Sequence, residues 1–184
     1  MKNVFVILLA LLGIGCGGAS IANVRMDLPP GALPRTTMMF VAPAESSATL
    51  FKGDGSDEPN TVAGARQTLR NSLALEVAKA MQGAGFQAYI PQGNLPPESV
   101  LVLMVVRECS WGSNAARIMV GFGAGAAYLL TDVKIVKGNS LIADFTVDAN
   151  SGGRGGLNGA GDFMPQFMQQ TASLVVDYLT HHMR

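Results

Sequence analysis

The chain has 184 residues, with 13 basic and 13 acidic side chains, a hydrophobic fraction of 48% and two cysteines. This balance leaves no electrostatic case for nucleic acid, because phosphate binding needs a concentrated basic face, and the apolar content excludes a disordered chain. The length is that of one ordinary domain, and two cysteines cannot build a metal cluster.

The first segment reads as an address. Met1-Lys2-Asn3 precedes an uncharged apolar run to Leu12, then the small-residue step Gly13-Ile14-Gly15 and Cys16, which is the layout of a secretory signal. It resembles a bacterial lipoprotein signal, although Gly13 stands where that pattern usually has Leu. The resemblance implies cleavage before Cys16 and a lipid on its sulfur. A membrane-spanning helix needs about 20 apolar residues, and Asn23, Arg25 and Asp27 come too soon to allow it; a plain secretory signal or N-terminal anchor is the alternative. Residues 1–15 are therefore expected to be a signal peptide. Residues 16–35, with Gly17-Gly18, Pro29-Pro30, Gly31 and Pro34, read as a lipidated cysteine and flexible tether. Residues 36–184 read as a single globular domain.

Within that domain, residues 36–42 form a short apolar run stopped by Pro43, which predicts a buried strand. Residues 45–60 read as a solvated loop. Its acids lack the alternating spacing, central Gly and distant Glu of an EF-hand, so a calcium site is not expected. Val62, Ala65, Leu69, Leu73, Val77 and Ala80 then recur at three- and four-residue steps, predicting a core-facing helix over residues 61–84, capped by Asn60 and stopped at Gly83 and Gly85. Residues 86–90 predict a short strand. The unbroken apolar run of residues 100–106 predicts a central strand covered on both faces, followed by a polar turn over residues 107–114 that contains Trp111. Cys109 reads as a small half-buried hydrophobe at the strand end.

Asp132 and Lys134 alternate with Val133 and Ile135, residues 137–140 (Lys-Gly-Asn-Ser) are turn-forming, and residues 141–147 are apolar again, which predicts a hairpin. Aspartates 132, 144 and 148 belong to its solvent face. A glycine loop over residues 151–161 leads to a last helix through Met183, capped by Asp162. The predicted fold class is α/β (α+β): a mostly antiparallel sheet of four to five strands packed by two long helices.

The glycine run Gly121-Phe122-Gly123-Ala124-Gly125 has a loose dinucleotide-binding spacing, but the residues after it alternate as a strand, so no helix N-terminus would receive a pyrophosphate. Its glycines serve a bulge, a bend or close approach of another backbone. A membrane-active hairpin from the uncharged residues 118–131 is the other reading. Gly153, Arg154 and Gly155 lie in a loop without the Lys-Ser or Lys-Thr of a phosphate-binding loop, and mobility is its expected property. His181 and His182, close to the C-terminus, are accompanied by no nucleophile elbow or zinc-binding helix motif. No enzyme activity, cofactor or metal is expected.

Arg117, the Val-Gly-Phe-Gly-Ala-Gly run that ends at Gly125, the alternating strand, the short turn and the returning strand with Ala143 and Phe145 resemble a widespread family of bacterial lipoproteins of unassigned function, the DUF4410 family. The resemblance implies an envelope location and no agreed activity. The expected function is that of a cell-envelope lipoprotein, on the periplasmic side of the outer membrane, held to the membrane through lipid on Cys16 and acting as a non-catalytic binding or accessory module for an envelope protein partner. The alternative is a homo-oligomeric subunit of a secretion or pore assembly that uses residues 118–131. Arg117, Gly121, Phe122, Gly123 and Gly125 are the candidate interaction motif.

Overall fold

Strand-forming sequence dominates the middle of the chain, and the architecture follows from it. A computed structural model describes residues 18–46, 49–53, 58–112, 126–151 and 163–183. In chain order the elements are β1 (Ser20–Met26), β2 (Met38–Val41), β3 (Leu50–Lys52), a helix α1 made of three consecutive pieces (Pro59–Thr68, Leu69–Leu73 and Ala74–Gly83), β4 (Gln87–Tyr89), β5 (Val100–Ser110), β6 (Tyr128–Lys137), β7 (Ser140–Asn150) and α2 (Met164–His182).

The expected hairpin is the backbone of the sheet. Lys137 pairs with Ser140, leaving Gly138 and Asn139 as a two-residue turn. Gly138 has φ +56° and Asn139 has no positive φ, the pattern of a turn with glycine at its first central position. The Gly138 amide also donates to the Ser99 carbonyl at 3.1 Å, tying the turn to the segment that enters β5.

The sheet order is β1-β7-β6-β5-β2-β4, with β3 also on β5. β1, β7, β6 and β5 are antiparallel neighbours, whereas β2, β3 and β4 run parallel to their partners. The sheet is thus seven-stranded and mixed, where a mostly antiparallel sheet of four to five strands was expected. The two missed strands lie at edges. β3 and the bridge at Glu45 occupy the stretch read as a solvated loop. β1 occupies the stretch read as a tether, and Leu28 and Leu33 just beyond it are buried, so the folded unit takes in residues upstream of Thr36.

Both helices pack on one face. Val100, Val102, Met104 and Val106 of β5 meet them at 0–1% exposure, while Leu101, Leu103 and Val105 on the opposite face are only half-buried. One face of β5 is therefore closed and the other half-covered, instead of both being closed. The strand also continues to Ser110, through residues read as a polar turn.

α2 is one helix of 19 residues, and it buries Phe167, Thr171, Val175, Tyr178 and Leu179 as its periodicity predicts. α1 is not a single long α-helix. Its first ten residues bury nothing, its middle is a π-turn over Leu69–Leu73, and its last ten bury Ala74, Val77, Ala78 and Met81. The π-turn shifts the apolar stripe by one residue; the second half is buried, while the first half meets the core only through half-buried Val62 and Ala65. The helix starts at Pro59 after Glu58, with Asn60 inside the first turn and no side-chain cap. It ends in paired bonds from the Gly85 and Phe86 amides to the Gln82 and Met81 carbonyls, the Schellman arrangement.

Candidate functional site

All the residues singled out from sequence lie outside the described residues: Cys16, Arg117, Gly121, Phe122, Gly123, Gly125, Gly153, Arg154 and Gly155. The described residues that flank them are nevertheless together. Lys52 and Tyr128 both pair with Ser110, Tyr128 also pairs with Asn150, and Ser20 pairs with Asp148. Asn150 donates to the Gly18 carbonyl, Ser151 to the Ala127 carbonyl, and Gln170 of α2 to the Asn150 carbonyl. Residue 18, two positions after Cys16, and the entry and exit points of residues 113–125 and 152–162 therefore share one end of the sheet.

That end has its own polar and aromatic frame. Glu108 on β5 accepts from Lys52 Nζ at 2.8 Å and from Tyr128 Oη at 2.8 Å. The Lys52 ammonium, followed by the Tyr128 hydroxyl, holds the Glu108 carboxyl below its usual range, while burial and then the Glu108 bond push the Tyr128 phenol up. Phe51 stacks on Trp111 with centroids 5.2 Å apart. Gly53 has φ +90°, and a side-chain carbon there would overlap the Gly112 backbone, so this crossing admits only glycine. Cys109 is 1% exposed, and burial pushes its thiol up to about 12, making it an inert core residue rather than a nucleophile.

Beneath the same end, Thr131 Oγ1, Ser151 Oγ, Gln170 Oε1 and Thr171 Oγ1 are buried without hydrogen-bond partners, as is Asp148 Oδ1. Tyr128–Thr131, part of the stretch read as a membrane-active or chain-joining segment, lies inside β6 between two strands. Leu129 and Thr131 are fully buried there, so this portion is not available to a bilayer or a neighbour.

On the helix-free face, Arg25 of β1 binds Asp144 through Nε at 2.8 Å and through Nη2, Thr146 at 2.8 Å and Asp132 at 3.0 Å. Asp132 and Asp144 are thus partners of an arginine, not free solvent-face carboxylates. At the other end of α2, Tyr178 Oη receives the Leu28 amide at 2.7 Å and donates to Asp27 at 2.8 Å. His182 lies 2.9 Å from Asp27 through Nε2 and 2.8 Å from the Tyr178 carbonyl through Nδ1. It is a fastener between chain ends rather than a residue on a fraying terminus. Among the described residues no three His, Cys, Asp or Glu side chains come together as a metal would need.

Large exposed apolar side chains include Val24 and Met26 on β1, and Leu50 and Tyr89 on β3 and β4, all at sheet edges. Short edge strands with exposed apolar residues are surfaces that proteins usually blunt or cover. No sequence signal marked them, because each strand was recognisable as an edge only after pairing.

Comparison with solved structures shows a shared fold. The PelC dodecamer from Paraburkholderia phytofirmans aligns at 13% identity over 86% of this chain and 97% of that one, with a TM-score of 0.54. Protein XCC0632 from Xanthomonas campestris aligns at 17% identity over 87% and 93%, with a TM-score of 0.49. No curated protein sequence matches the chain. The profile of the domain of unknown function DUF4410 matches residues 40–156, from β2 to just past β7, and the chain belongs to that family.

Proposed function

We propose that this protein is a bacterial cell-envelope lipoprotein, anchored by lipid on Cys16 to the periplasmic side of the outer membrane, whose domain is a non-catalytic binding or accessory module for another envelope component. The observation that supports it is the convergence at one end of the sheet. Two residues of extended chain span at most about 7 Å, so a lipid on Cys16 would hold the end that carries Gly18, Gly112 and Ser151 next to the bilayer. That end of the sheet would then face the membrane surface, and the opposite end would reach into the periplasm. The test is mass spectrometry and fractionation of native protein. Cys16 should carry a diacylglyceryl thioether, and Cys16→Ser should move the protein from the membrane to the soluble fraction; an unmodified Cys16 sulfur overturns the reading.

A second reading, a homo-oligomeric subunit, is favoured by the apolar side chains at opposite edges of one sheet. Val24 and Met26 cannot reach Leu50 and Tyr89 within one molecule, whereas a head-to-tail contact between copies would cover both and close a ring. The PelC homologue of fold is a dodecamer. Native mass spectrometry of the detergent-extracted full chain should give a closed oligomer that Val24→Lys with Met26→Lys reduces to monomer. A monomer in the unsubstituted protein removes this reading and leaves the first intact.

A further inference from the structure

The first half of α1 meets the core only through half-buried Val62 and Ala65, and beside it lies a cleft of about 830 Å3. One wall is the helix, with Arg66, Gln67 and Arg70; the other is the link from β2 to β3, with Pro43, Ala44, Glu45 and Ser46. The cleft exists because Pro59–Thr68 contributes no buried residue, and the π-turn that begins at Leu69 separates this half from the packed half. π-turns inside helices are frequent at functional sites.

The chemistry of the cleft is specific. Arg66, in the last turn before the π-turn, and Arg70, inside it, both line the cleft. Among the described residues the arginine-carboxylate pairs involve Arg25 and Arg107, and neither Arg66 nor Arg70 has a described carboxylate within 4.0 Å. Arg66 is held over the Phe51 ring at 5.4 Å, and Phe51 is fixed in turn on Trp111. One guanidinium is therefore positioned by a stacked aromatic pair, as a cation over a ring face is. Among the described residues that line the cleft, Glu45 is the one carboxylate, against two guanidiniums. Gln67 and Ser46 add amide and hydroxyl groups, and Pro43, Ala44 and Val62 add apolar contact surface.

We infer that this cleft is a binding site for a small hydroxylated organic anion. Its carboxylate or phosphate takes the Arg66 and Arg70 forks, its hydroxyls are received by Glu45, Ser46 and Gln67, and its hydrocarbon face lies on Pro43, Ala44 and Val62. Planar guanidiniums recognise both oxyanions through paired N–H donors. The site needs only the described domain and holds whether or not Cys16 carries lipid.

The test uses the full chain in detergent micelles, titrated with glucuronate, with glucose 6-phosphate and with glucose while backbone amide and arginine Nε–H signals are followed by NMR. The expected result is saturable shifts at Ser46, Val62, Ala63, Arg66 and Arg70 with one or both anions, at a Kd of about 1 mM or tighter, and none with glucose. The stronger anion tells whether carboxylate or phosphate is the natural group. Arg70→Gln, at an exposed side chain, should weaken binding about tenfold with the remaining spectrum unchanged, and Arg66→Lys with Arg70→Lys should weaken it through loss of the paired donors. Equal shifts with glucose, no saturable shift with either anion, or undiminished affinity in Arg70→Gln overturns the site.

Discussion

Gly53 and Thr171 show how single positions carry this fold in opposite ways. Gly53 has positive φ and lies against the Gly112 backbone, so Gly53→Ala forces both a strained conformation and a backbone shift. It should cost roughly 1–3 kcal/mol, read as a lower urea midpoint. Thr171 is fully buried on α2 with its hydroxyl unpartnered. Thr171→Val keeps the shape and removes a polar atom that gains nothing from burial, so the urea midpoint should hold or rise, by up to about 1 kcal/mol. Neither position was legible in advance. A glycine in a polar stretch and a threonine in an amphipathic helix look ordinary until the crossing chain and the opposing strand are present. Cys109 was more readable: an apolar strand leads into it, and a buried, inert thiol is the outcome.

At the scale of elements, long strongly periodic segments were readable and edge pieces were not. β6, β7 and the Gly138 turn follow from alternation and turn chemistry within about twenty consecutive residues. β1 carries Ser, Asn and Arg and shows no apolar alternation. It becomes a strand through partners more than 100 residues away, chiefly Arg25 with Asp144, Asp132 and Thr146. Arg25→Ala should therefore loosen β1 selectively, raising amide exchange at Ile21–Met26 while the β6–β7 hairpin stays protected. The segment just past β1 is tied separately, to α2, through Tyr178. Tyr178→Phe removes the oxygen that receives the buried Leu28 amide and should cost about 1–3 kcal/mol, measured by urea unfolding, whereas loss of the Phe145 ring that stacks on Tyr178 at 4.0 Å should cost more, about 3–5 kcal/mol for Phe145→Ala.

For the whole molecule, acid is the condition most telling of the tertiary pairings. The Tyr178 hydroxyl, with His182, holds the Asp27 carboxyl below its usual range, and Lys52 with Tyr128 does the same to Glu108. A carboxyl depressed on folding contributes stability that is present above its unfolded value, about 4, and is lost as pH falls through the folded value. The urea midpoint should hold steady above about pH 5 and fall below about pH 4, and Asp27→Asn with Glu108→Gln should flatten that fall. Both carboxyls are partly exposed, so the effect should shrink in high salt. What the linear chain settled is whatever rests on neighbours in sequence: a hairpin at Gly138, a central apolar strand, an amphipathic C-terminal helix, and membership of the family whose profile matches residues 40–156. Parallel pairing of β2, β3 and β4, the edge role of β1, the π-turn in α1 and the cleft with Arg66 and Arg70 were settled only by packing. Each depends on contacts between segments far apart in the chain, and a periodicity counts only its own residues.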